Sequence, residues 1–127
     1  LFGVIYGNGT FMTVGMSGTI LTSSDGTTWD NRTSGTTVNL SGVTYGNSTF
    51  VIAGFSGTIL TSSDGTTWTN RRDTSVTTED LYGVTYANGT FVIVGYSGTI
   101  LTSSDGTSWD NRTSGTSNNL NSVTFTE

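Results

Sequence analysis

The chain has 127 residues, 32% of them hydrophobic, and nine carboxylates face four arginines and no lysine, for a net charge of −5. That balance excludes an electrostatic grip on phosphate backbones or anionic lipid, so neither nucleic acid nor membrane insertion is expected. With no histidine and no cysteine, disulfides, thiolate zinc sites, Cys or Ser/His nucleophile pairs and the usual general base near neutral pH are absent; an enzyme, a cofactor and a metal site are not expected.

Taken in order, the chain is one unit written three times, over residues 1–39, 40–80 and 81–119, and residues 120–127 restart the pattern as an extra first strand. The stretch from Gly18 to Trp29 recurs unchanged from Gly57 to Trp68, and recurs from Gly98 to Trp109 with Ser108 in place of threonine. The first and third copies differ at only nine of 39 positions, a sign of recent duplication or deliberate design, and the middle copy is two residues longer within residues 71–80. A length change there marks a surface loop. The chain begins at Leu1 without a signal peptide, and reads as a mature product or a piece of something longer.

Within each copy the turn signals Asn8-Gly9, Ser17-Gly18 and Asp25-Gly26 divide four short runs of strand formers. Asn-Gly and Asp-Gly favour tight hairpins because both central residues of such a turn need positive φ. The first copy is therefore expected to hold strands at 1–7, 10–15, 19–23 and 27–33, with a loop at 34–39 leading to the next unit. Helix is not expected anywhere.

The second strand sets the packing. Phe91-Val92-Ile93-Val94 and Phe50-Val51-Ile52-Ala53 are apolar on both faces, whereas the fourth strand is polar beyond its tryptophan, as in Trp29-Asp30-Asn31-Arg32. A strand of the first kind is covered on both sides, and burial that falls from inner to outer strands is the pattern of stacked β-propeller blades. The expected fold is all-β, three four-stranded meanders stacked as blades; the alternative with the same repeat arithmetic is a β-trefoil.

Residues 83–109, from Gly83-Val84-Thr85-Tyr86 to Ser104-Asp105-Gly106-Thr107-Ser108-Trp109, resemble the blade repeats of the Asp-box, or bacterial neuraminidase, superfamily of propellers, which includes photosystem II assembly factors and bacterial surface proteins. The resemblance covers the whole chain and implies that Asp25, Asp64 and Asp105 sit in the turn between a blade's third and fourth strands. The usual box has a residue between its Asp and Gly; here the two are adjacent, which places the chain with shortened-box relatives.

Each singled-out residue has a structural use and a functional one. Asp25, Asp64 and Asp105 are expected to satisfy their own turn amides rather than bind calcium. Trp29, Trp68 and Trp109 recur once per unit beside a turn, which favours sealing the gap between units over stacking on sugars, and Tyr6, Tyr45 and Tyr86 are expected in the core. The arginines default to surface ion pairs. Four repeat-locked arginines and the glutamates Glu79 and Glu127 do not make a sialidase pocket.

Asn8, Asn31, Asn39, Asn47, Asn88 and Asn111 each begin Asn-X-Ser/Thr, which turn chemistry explains without sugar. The Thr/Ser/Asn/Gly richness leans toward an extracellular or surface address. Because closed propellers have about 4–8 blades, three blades and a strand point to a scaffold that assembles, either with a second copy, a dimer being the simplest case, or with further repeats. The alternative is a lectin-like binder of glycans at Met16, Phe55 and Tyr96 with the loop residues Thr36, Thr77 and Thr116.

Overall fold

A computed structural model describes residues 1–126. Twelve strands follow one another as β1 (Gly3–Gly7), β2 (Thr10–Val14), β3 (Ile20–Ser23), β4 (Asp30–Arg32), β5 (Leu40–Gly46), β6 (Thr49–Gly54), β7 (Ile59–Ser62), β8 (Thr69–Asn70), β9 (Leu81–Ala87), β10 (Thr90–Gly95), β11 (Ile100–Ser103) and β12 (Asp110–Arg112). They form three separate antiparallel meanders, β1 to β4, β5 to β8 and β9 to β12. The β1–β2 and β9–β10 turns place Asn8, Gly9, Asn88 and Gly89 at positive φ, and Asn47-Ser48 does the same in the middle unit.

The strand limits differ from expectation where side chains take over backbone bonding. The fourth strands begin at residue 30, not 27, and β8 has only two residues. The Asp25 carboxylate accepts the amides of Thr27 and Thr28, and the Ser23 hydroxyl accepts those of Asp25 and Gly26, so these amides are satisfied inside the loop and do not join a ladder. The Asp-Gly step is thus part of a six-residue connection, not a tight hairpin. Ser17-Gly18 and its repeats lie in single 3₁₀ turns, Met16–Gly18, Phe55–Gly57 and Tyr96–Gly98, the one helical feature in a chain read as having none. Residues 120–126 carry no strand pairing, although the Leu120 amide donates to the Gly95 carbonyl as Leu40 does to Gly15; Glu127 lies outside the described residues.

The sheets stack, and the core is the pair of layers between them. Between the first and second units, Met12, Val14 and Ile20 meet Leu40, Val43, Phe50, Ile52 and Leu60, with Ile5, Tyr45 and Trp68 at the margin. Between the second and third, Val51, Ala53 and Ile59 meet Leu81, Phe91, Ile93, Leu101 and Trp109. Phe50 and Val51, neighbours on β6, therefore serve different layers, and the strand is apolar on both faces because both are covered. A β-trefoil does not describe this arrangement, since its strands would share one core, whereas here the middle sheet separates two.

The layers converge at the inner strands. A Cβ on Gly3 would lie 3.3 Å from Gly42 Cα, and one on Gly42 would lie 3.5 Å from Gly83 Cα, so the first strands pass close to one another without side chains between them. At the end of the same strands a Cβ on Gly7 would come within 2.7 Å of the Tyr45 ring, and one on Gly46 would overlap Tyr86. The third unit has Ala87 at this position, beside Phe125.

Candidate functional site

Each unit has two polar rims. One carries the Asp loops, which are built alike. In the second unit Asp64 Oδ1 accepts from the Thr66 and Thr67 amides at 2.8 and 2.9 Å and from the Ser62 hydroxyl at 2.9 Å. These bonds favour the charged form. The Thr67 amide, then the Thr66 amide and the Ser62 hydroxyl, lower the Asp64 carboxyl to about 2. Asp25 and Asp105 are lowered by the matching groups, led by the amides of Thr28 and Ser108. All three carboxylates are spent on their own loops, and no group of three or more His, Cys, Asp or Glu is placed to hold a metal among the described residues.

A pH dependence follows. A carboxyl whose folded value lies below its unfolded value near 3.9 contributes stability that is present above the unfolded value and lost as pH falls through the folded one. Denaturant midpoints are expected to hold above about pH 5 and to fall between about pH 4 and pH 2. Asp64→Asn, which keeps an oxygen for the Thr66 and Thr67 amides, should flatten part of that fall.

The tryptophan after each Asp loop points at the preceding unit. Trp109 is 7% exposed, packs 6.2 Å from Phe91 and donates from Nε1 to the Gly106 carbonyl. Trp68 packs 6.4 Å from Phe50, with its Nε1 buried and without a partner. Trp29, over which no other described blade packs, is 38% exposed. Tyr6, expected in the core, is 60% exposed for the same reason. The arginines are tied to their strands: Arg32, Arg71 and Arg112 each donate from Nε to a threonine hydroxyl of the third strand, on Thr22, Thr61 and Thr102. The exposed pairs Arg32–Asp30 and Arg112–Asp110, at 3.8 and 3.7 Å, are worth under about 1 kcal/mol.

The other rim brings together the residues read as candidate ligand contacts. The connecting loop folds over the 3₁₀ turn of its own unit, so that the Thr36, Thr77 and Thr116 carbonyls press on Gly18, Gly57 and Gly98. The Thr36 hydroxyl accepts the Val38 amide, and the Ser34 hydroxyl donates to the Thr36 carbonyl. Both hydroxyls thus brace their own loop, the Thr36 oxygen as an acceptor and the Ser34 hydroxyl as a donor. Met16 and Tyr96 are exposed, while Phe55 is half-buried against Tyr82 with ring centroids 6.1 Å apart.

Three residues missed in the sequence complete this rim. Tyr82 is skipped in the β9–β10 register, where Leu81 pairs with Gly95 and Gly83 with Val94; such a bulge re-aims the side chain. Asp80 Oδ1 accepts the Ser56 amide, and the Tyr96 amide donates to the Asp80 carbonyl. The Tyr82 phenol is pushed up by burial first, then by Asp80, Tyr96 and Glu79. The signal in the sequence was the set of positions at which otherwise near-identical copies disagree.

YCF48 from Cyanidioschyzon merolae superposes with a TM-score of 0.69 at 22% identity, over 87% of this chain and 36% of that one. A structure described as YCF48 bound to D1 peptide gives a TM-score of 0.74 at 19% identity, over 87% and 39%. The chain folds as three blades of a β-propeller. It spans well under half the length of either structure, and at these identities the likeness is one of fold. No family model and no curated protein matches the sequence.

Proposed function

We propose that this chain is a non-enzymatic interaction scaffold whose three blades join like blades, from a second copy or from further repeats, to complete a propeller. The observation that carries the reading is the leading face of the first blade. Leu1, Val4 and Tyr6 are 70%, 67% and 60% exposed, whereas Leu40, Leu81 and Val43, which repeat Leu1 and Val4, are at most 8% exposed, and Val84, Tyr45 and Tyr86 are half-buried. Phe11, Leu21 and Trp29 share this face, and Thr13 is its one polar departure, standing where the later blades have Ile52 and Ile93. Thr13 turns its hydroxyl inward to the Gly3 carbonyl at 2.7 Å. An apolar face of this size, whose counterparts are sealed by another blade, marks an interaction surface.

The propeller neighbour described as bound to a peptide supports a binding role, and the composition supports an extracellular or surface address. The self-satisfied loop hydroxyls weigh against the glycan reading. Light scattering decides between the outcomes. Expected is a particle larger than a 13.3 kDa monomer, in which iodide quenches Trp29 weakly. A monomer with strongly quenched Trp29 would sink closure by a second copy.

A further inference from the structure

The internal repeat supplies its own control, because the same site is built twice with different residues. At the junction of the first and second blades, four positions hold Met16, Ser41, Val38 and Asn39; at the junction of the second and third, the equivalent positions hold Phe55, Tyr82, Glu79 and Asp80. All four depart together. They also converge in space: Phe55 meets Tyr82 at an interplanar angle of 77°, the Asp80 carboxylate accepts the Ser56 amide beside Phe55, and the Tyr96 amide donates to the Asp80 carbonyl. Tyr96 remains 45% exposed at the edge.

The charge on Asp80 is surplus to folding. Its Oδ1 accepts the Ser56 amide at 2.9 Å, and Asn39 and Asn119 make the same bond to Ser17 and Ser97 at 3.1 and 3.0 Å without any charge. A neutral amide suffices twice in this molecule, so the bond to Ser56 does not call for the charge on Asp80. Glu79 likewise stands where Val38 and Asn118 serve. Arg72 reaches the same turn, donating from Nε to the Ser56 carbonyl, and forms no ion pair with Asp80 or Glu79.

We infer that the rim formed by Phe55, Tyr82 and Tyr96 with Asp80 and Glu79 docks an arginine or lysine side chain presented by a protein segment. Aromatic faces attract a cation through their quadrupole, and the adjacent carboxylates complement its charge. A segment with an apolar residue beside the cation covers Phe55 as well. The site belongs to one junction and is independent of how the ring closes.

The test is a titration of ¹⁵N-labelled chain with the peptide acetyl-Gly-Arg-Leu-Arg-Gly-amide and with its citrulline counterpart, which keeps shape and loses charge. Saturable shifts are expected at 55–57, 80–82 and 96–98 below about 10 mM of the arginine peptide, and not with citrulline. Asp80→Asn and Tyr82→Ser should each weaken binding by about fivefold or more. Both variants install residues the first junction already uses, Asn39 and Ser41, so folding is retained and the parent spectrum verifies it. Equal shifts around Met16 and Ser41, equal response to citrulline, undiminished binding in the variants, or no shifts at all would overturn the inference. None of these outcomes bears on oligomeric mass, which tests the scaffold reading separately.

Discussion

In the single chain, diluted until no second copy is bound, Phe91→Ala is expected to lower the unfolding free energy by about 3–5 kcal/mol, and Phe11→Ala by less than half as much, although the two phenylalanines occupy the same place in near-identical units. Phe91 has no exposed surface, stacks 4.5 Å from Tyr86 and 6.2 Å from Trp109, and is closed over by Val51, Ala53 and Ile59 of the blade before it. Phe11 keeps its Tyr6 partner at 4.6 Å but has no preceding blade above it and is half-buried. Truncation there removes apolar surface already facing water and leaves no enclosed cavity. A domain of this size has about 5–15 kcal/mol in total, so Phe91→Ala should lie close to the folding limit. Urea unfolding of the two variants checks this. Equal losses in the single chain would mean that its own residues cover the leading face of the first blade.

Gly46→Ala adds a single methyl and should still cost about 1–3 kcal/mol. The added methyl falls on Tyr86, and the atoms it meets are the Cβ and the inner ring carbons, which are fixed by the backbone of β9 and cannot swing aside. The blades must separate locally, and Trp109, 7% exposed in the same layer, should become accessible to acrylamide. The reverse change at the open end, Ala87→Gly, removes a methyl that presses on no complete blade. It should lose only the strand-glycine penalty of about 0.5–1 kcal/mol. If Gly46→Ala leaves stability and tryptophan access unchanged, the close seating of the tyrosine rings is not what sets the spacing between blades.

The architecture was legible because packing leaves a mark on composition. Phe50-Val51-Ile52-Ala53 has no polar position, and two covered faces explain it. The position of Asp25 between the third and fourth strands was legible too. Its consequence for strand length was not: an Asp that satisfies its own turn could take one amide or several, and here it takes those of both Thr27 and Thr28, which moves the start of the fourth strand to residue 30. The exposure of Tyr6 was missed by treating equivalent residues as equivalent environments; the terminal unit has a neighbour on one side only. At the rim, Met16, Phe55 and Tyr96 could be chosen because they vary within a constant frame. Tyr82, Asp80 and Glu79 vary as sharply, but they belong to the start of one copy and the end of the previous one. Only folding shows that those two ends share a site with the turn in between.

Three copies of the same unit also pose a problem of address. The segment carrying β3 and the Asp loop is letter-for-letter the same in the first two blades, so during folding either copy can zip onto the wrong β2 with all of its hydrogen bonds intact. Such swaps between like modules are the common error of repeat chains. What distinguishes the right partner is confined to a few side chains: Met12, Val51 and Val92 on one face of the second strand, Thr13, Ile52 and Ile93 on the other, and the choice of Gly7, Gly46 or Ala87 under the aromatic ring. Variation that looks like drift between copies acts as a set of labels, and erasing it by making the repeats uniform should yield a chain that collapses as readily but sorts its strands less faithfully.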